Sequence, residues 1–158
     1  MAAARLIFCE RTNHWAAALG RLLSDAEIQV RQTRSLDECH EELSAAPASL
    51  VVLELAQGSL AGVLLRLVDW NRGFPLAGAA VVAERGWEPY EWLLREAGAV
   101  DFVASPRRLD SLAGIARRHW RRLPASATDP TERIWSGLPW AAYATPALLP
   151  KTGGRSCS

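Results

Sequence analysis

Between residues 5 and 123 the chain switches five times between a short apolar run and a longer stretch with apolar residues every three or four positions. Leu6-Ile7-Phe8-Cys9, within residues 5–10, predicts a short buried strand. Trp15, Ala18, Leu19, Leu22 and Leu23 then mark one face of a helix over 13–25, which Thr12 or Asn13 would cap. Residues 27–34 alternate apolar and polar, as a strand nearer a sheet edge does. Ser35-Leu36-Asp37-Glu38 is a capping box opening a helix to about residue 45, with Pro47 enforcing its end. Leu50-Val51-Val52-Leu53 is apolar throughout, the signature of a strand buried on both faces, and Glu54 is expected to stop it. Two more units follow: a helix over 60–70 halted by Asn71-Arg72-Gly73, a strand over 77–83, and a helix over 87–97 with Pro89 in its first turn. In that last helix Trp92 is expected to face the core with Leu93, leaving Trp87 and Tyr90 partly exposed. A strand over 100–104 and a helix over 109–123 complete the series.

Strands alternating with helices across short links imply right-handed crossovers and a parallel sheet covered on both faces. Five units in this length suit an α/β, flavodoxin-like doubly wound sheet of order 2-1-3-4-5. That places one domain at 4–123. From residue 124 prolines recur among Ala, Ser, Thr and Gly, the composition of a tail, which an apolar cluster at 134–143 with Trp135 and Trp140 interrupts. The cluster either folds back on its own domain or docks on another protein.

Composition narrows the function by exclusion. A net charge of +1 over 158 residues gives no global field toward nucleic acid or a membrane surface. No apolar stretch approaches the roughly 20 residues of a membrane span, and no signal peptide is visible. Cys9, Cys39 and Cys157 are odd in number and lack metal-ligand spacing, which favours a reducing compartment. The expectation is a soluble, cytoplasmic protein. Local charge is less even: Arg107, Arg108, Arg117, Arg118, Arg121 and Arg122 load the last helix with cations. A solvated basic face is the plain account, an acidic protein partner the next, and nucleic acid the least favoured, since no recognition motif accompanies the charge.

In such a sheet, ligands bind at the carboxyl ends of the strands. The residues delivered there are Cys9 and Glu10, Glu54, Ala83 with Glu84, and Ser105 before Pro106. Glu10 and Glu54 together are weak candidates for a Mg²⁺ site, because that ion is held by one or two carboxylates plus waters. The plainer account is two solvated acids paired with Arg11 or Arg85, and no cofactor at all. His14 lies where it could pair with Glu10. Cys9 has no histidine placed to activate it as a nucleophile.

Two segments resemble the receiver domain of two-component response regulators. VVLELAQGSLAG is similar to that family's third strand, in which an apolar run ends in a phosphoacceptor Asp and a loop ends in Gly. The stretch Ala97-Gly98-Ala99-Val100-Asp101-Phe102-Val103-Ala104-Ser105-Pro106 resembles its Ala-Gly-Ala, acid, aromatic, Thr-Lys-Pro segment. The likeness spans about residues 5–122. It implies that Glu54 falls on the phosphoacceptor, Cys9 and Glu10 on the acidic metal-binding pair, and Ala83 on the hydroxyl residue that contacts the phosphoryl group. Ser105 falls on the neutralising lysine, and Phe102 keeps the aromatic type of the switch position.

Phosphoryl transfer relies on Mg²⁺ and a fixed cation to hold charge on the transferred group. Losing one such preorganised contact typically costs about 10²–10³ in rate. The expectation is therefore a degenerate, non-enzymatic pseudo-receiver acting through protein contacts, with a signalling protein as partner and helices 4 and 5 as a possible homodimer surface. The alternatives are a receiver phosphorylated inefficiently and a small-ligand or nucleotide-binding domain, against which the lack of a Gly-rich loop after the first strand counts.

Overall fold

The computed structural model describes residues 4–24 and 28–123, and the segment bearing Trp135 and Trp140 lies outside them. Five strands, β1 (Leu6–Cys9), β2 (Val30–Thr33), β3 (Leu50–Leu55), β4 (Gly78–Ala83) and β5 (Asp101–Val103), form one parallel sheet in the order β2-β1-β3-β4-β5. Between and after them run α1 (His14–Leu22), α2 (Leu36–Ala45), α3 (Leu60–Gly73), α4 (Glu91–Glu96) and α5 (Leu109–Arg122). This is the flavodoxin-like arrangement that the alternation of patterns predicts.

The period of two within each strand splits the interior into two layers. Ile7, Val51, Leu53, Leu55, Val81 and Phe102 pack with Cys39, Leu43, Val63, Leu67, Trp70 and Leu94 of α2, α3 and α4. Leu6, Phe8, Leu50, Val52, Val82 and Val103 pack with Trp15, Leu19, Leu112 and Ala116 of α1 and α5. The central strands have apolar residues on both sides because both sides are covered. β2 has a neighbour on only one side, and of its four residues Thr33 alone is buried.

Several local expectations shift. Glu54 does not end β3; it pairs in register with Val82 and the strand continues through Leu55. Asn71-Arg72-Gly73 does not halt α3, which runs to Gly73 before Phe74 leaves helical geometry. The stretch around Pro89 opens with a 3₁₀ turn, Glu88–Tyr90, and only then becomes α4. A 3₁₀ turn has three residues per turn rather than 3.6, so the phase of the face rotates. As a result Leu94 is buried and Trp92 points outward, 67 % exposed, the reverse of the inward placement expected for it. Trp87 is half-buried and Tyr90 exposed, as expected. Gly98 after α4 has φ +115°, and a Cβ there would meet the Asn71 side chain at 3.1 Å. Only glycine joins α4 to β5 at this point without strain.

Candidate functional site

The carboxyl ends of β1, β3, β4 and β5 lie along one edge of the sheet, and the two acids delivered there have unlike surroundings. Glu10 follows β1 directly and is buried, 6 % exposed. Its two oxygens accept the backbone N–H groups of Trp15 at 2.8 Å and Ala16 at 2.9 Å. These are donors of the first turn of α1, which have no partner inside the helix. Asn13 holds the N-cap position, but in the left-handed conformation at φ 58°, and its side chain caps nothing. Its Oδ1 instead accepts from Gln32 Nε2 at 2.6 Å. Glu10, four residues upstream of the helix, is thus the cap that the sequence assigns to Thr12 or Asn13. His14 makes an edge contact with Trp15, while the Glu10 oxygens bond the backbone of Trp15 and Ala16.

Glu54 is half-buried and accepts one bond, from the Arg11 backbone N–H at 2.8 Å. It borders three depressions. An open cleft of about 430 Å³ runs past Thr12, His14, Glu84, Arg85, Ser105 and Arg107. A second, of about 500 Å³, lies toward Gln57, Gly86, Trp87 and Tyr90. A third, of about 220 Å³, lies toward Cys9, Glu10, Arg11, Arg34 and Ser59, and is the one of the three that Glu10 and Glu54 both border. The loop after β3 is closed on itself: Ser59 Oγ donates to the Ala56 carbonyl at 2.8 Å and accepts its N–H at 3.0 Å. Gly58 turns that loop at φ 81°.

Of the other sequence-predicted positions, Ala83 is fully buried and presents only a methyl group. Ser105 Oγ accepts the Arg107 N–H at 3.4 Å and so starts the 3₁₀ turn Pro106–Arg108 ahead of α5. Phe102 is 2 % exposed and packed inward. The structure therefore brings Glu54 and Ser105 to the same cleft, with Arg107 beside them, and withdraws Glu10 from it. Among the described residues no three His, Cys, Asp or Glu side chains gather as a metal-ligand set.

The basic residues of α5 also divide. Arg118, Arg121 and Arg122 are exposed, whereas Arg117 is half-buried and donates to the Leu22 carbonyl at 2.7 Å, fastening α5 to the end of α1. Arg107 and Arg108 precede α5, and Arg107 lines the cleft.

Two further arrangements lie outside the sequence-predicted positions. Arg95 bridges Glu91 at 2.9 Å and the buried Asp101 at 3.2 Å, and Ser111 also donates to Asp101, joining α4, β5 and α5. The Glu91 hydrogen bond is the main reason the Arg95 guanidinium holds its proton more tightly than usual, and desolvation works against it. The other is a thiol pair. Cys9 and Cys39 lie in the same core layer. Interaction between the two thiols lowers the Cys9 pKa despite burial, and the same interaction together with burial raises that of Cys39. The (i, i+4) spacing of Glu91 and Arg95 was a readable signal; cysteines 30 positions apart in separate elements were not.

No family model matches the chain, and no curated protein matches it. Solved structures do. The chain is similar to a response regulator from Thermotoga maritima, with a TM-score of 0.63 at 19 % identity over 75 % of this chain and 98 % of that one. It is similar to the CheY-like protein tadZ from Pseudomonas aeruginosa PAO1, with a TM-score of 0.62 at 20 % identity over 80 % and 100 %. A third likeness is to the receiver domain of NtrX from Brucella abortus, with a TM-score of 0.61 at 22 % identity over 75 % and 99 %. At these identities the likeness is one of fold, and the fold is that of receiver domains.

Proposed function

We propose that the chain is a signalling module of the response-regulator receiver type that takes no part in phosphoryl relay and acts through protein contacts. The observation that carries this reading is the state of Glu10. A receiver-type site needs acids free to hold Mg²⁺ against the incoming phosphoryl group. Here both Glu10 oxygens are engaged by the α1 backbone in a buried setting, and the neighbouring position is the thiol of Cys9, a soft ligand poorly matched to a hard cation. Glu54 and Glu84 border the cleft, Ser105 stands where the resemblance calls for a lysine, and Arg85 and Arg107 are the cations that line it. These residues do not fit Mg²⁺.

An interaction role draws support from what the surface offers. Trp92 is largely exposed on α4, and Arg118, Arg121 and Arg122 are exposed on α5. An exposed aromatic on one helix and exposed guanidinium groups on the other suit an acidic protein surface, or a second copy of the chain. No helix among the described residues is long and apolar enough to cross a membrane.

The test is incubation of the full chain with a small phosphodonor and Mg²⁺, followed by intact mass under non-acidic conditions. The expected result is an unchanged mass. An acid-labile phosphate adduct lost in Glu54→Gln would overturn the reading in favour of an inefficient but working receiver.

A further inference from the structure

Of the three depressions that Glu54 borders, the one of about 500 Å³ differs from its neighbours in charge. The cleft of about 430 Å³ has Arg85 and Arg107 in its wall, and the third depression has Arg11 and Arg34. Among the described residues that line the 500 Å³ trough there are two acids, Glu54 and Glu84, and no cation. Glu54 Oε2 accepts the Arg11 N–H, which leaves Oε1 without a hydrogen-bond donor among the described residues. Glu84 is exposed, and neither of its oxygens has a donor among them.

The same wall carries an aromatic pair. Trp87 and Tyr90 stand with ring centroids 5.5 Å apart and planes at 50°, a corner and not a stack. The corner is fixed by its own loop and by the core. Trp87 packs against the layer that α2, α3 and α4 cover, and the Tyr90 N–H donates to the Trp87 carbonyl at 3.0 Å. Gly86, at φ +103°, makes the preceding turn and donates its N–H to Glu88 at 2.7 Å. The rings are therefore in place before anything binds.

We propose that this trough is the docking site for an arginine side chain of a partner polypeptide. The proposal rests on the reading of the chain as a module that acts through protein contacts, and it names the chemistry of one contact. A cation within about 6 Å of a ring centroid is attracted to the ring face. Guanidinium is planar, so it lies on a ring and still directs its edge N–H groups at carboxylates. An ammonium ion is more strongly hydrated and has no plane to stack, and a quaternary ammonium has no N–H for Glu54 or Glu84. A free amino acid brings its own carboxylate, which meets two acids and no cation in this wall. An arginine within a chain carries no such charge.

The experiment titrates the full, isotope-labelled chain with acetyl-Gly-Arg-Gly-amide and follows backbone and indole N–H shifts by NMR. Saturable shifts confined to residues 55–57 and 84–90, the Trp87 indole among them, are expected. The lysine peptide and free L-arginine bind more weakly, and the citrulline peptide, of the same shape without the charge, does not saturate. Tyr90→Ala, at an exposed ring, weakens the arginine peptide about two- to fivefold. Glu54→Gln with Glu84→Gln abolishes saturation; Glu84→Gln alone, at an exposed position, weakens it and serves should the double variant lose its circular dichroism. No saturation by the arginine peptide would overturn the proposal, as would equal binding of the lysine or citrulline peptide or tighter binding of free arginine. Shifts centred on Arg85 and Arg107, or affinity unchanged in the acid variants, would do the same. None of these outcomes bears on the phosphodonor test, so the two readings fail separately.

Discussion

The two ends of the crevice, one at β1 and one at β3 to β5, carry the same side chain and use it in opposite ways. At β1 the carboxylate of Glu10 is turned down onto α1 and spends both oxygens on backbone donors. At β3 the carboxylate of Glu54 accepts one bond and borders open space on three sides. Residue type and strand-end position are shared; what differs is the path of the next few residues. Residues 11–13 bring the start of α1 back over Glu10, helped by the left-handed Asn13, while the loop at 56–59 folds on itself and leaves Glu54 uncovered. An acid at the carboxyl end of a strand is thus a site only if the following loop leaves it free.

The sharpest way to break this comparison is to remove the sealed acid. Glu10→Ala leaves two buried N–H groups of α1 without acceptors, and hydrogen bonds to a charged group are worth about 1.5–3 kcal/mol each before non-additivity. The expected loss is roughly 3 kcal/mol, seen as a fall of about 10 °C in thermal midpoint for a domain of this size. Glu10→Gln recovers only part, because its amide can turn just one oxygen toward the two donors. A midpoint unchanged by either substitution would show that Glu10 is not the cap.

A smaller effect is expected one strand over, where α2 starts beside the same end of the sheet. Ser35 Oγ accepts the Glu38 N–H at 3.1 Å, and Glu38 in turn accepts the Arg34 N–H at 2.9 Å. The capping box predicted from sequence is present, shifted by one residue on its return bond. Ser35→Ala should cost about 1 kcal/mol in urea unfolding, since the group it frees is exposed and water can replace the lost acceptor. A loss as large as that of Glu10→Ala would mean that burial is not what separates the two caps.

How far the sequence foretold this follows from the same contrast. The five strands and their order were legible because Leu50-Val51-Val52-Leu53 and Ala80-Val81-Val82-Ala83 are apolar on both faces, which only a covered parallel sheet requires. The position of Glu54 was legible for the same reason. The sealing of Glu10 was not, since it depends on one left-handed residue and not on any apolar pattern. Trp92 was misplaced because a 3₁₀ turn ahead of α4 rotated the helical phase that the periodicity assumed. Cys9 and Cys39 share a core layer only through the packing of α2 on β1, which no local spacing encodes.

At the open end, Glu54→Gln should shift stability by no more than about 0.5 kcal/mol, because the amide oxygen keeps the Arg11 bond and the group is half-exposed. The final test asks which end limits chemistry. Glu54→Asp combined with Ser105→Lys restores, on the open side, the acceptor and the cation that the receiver resemblance calls for. If the open side were the whole obstacle, a small phosphodonor with Mg²⁺ would now label the chain at position 54. The expected outcome is still no acid-labile adduct by intact mass, because the ion needs oxygen ligands at the β1 end. That end offers a thiol and a carboxylate already engaged by Trp15 and Ala16. Labelling of the double variant would place the block at Glu54 and Ser105 and make the sealing of Glu10 incidental. Its absence, in a chain whose unfolding midpoint matches wild type, would place the block outside the open side's acceptor and cation, at Cys9 and Glu10 or at the methyl group of Ala83.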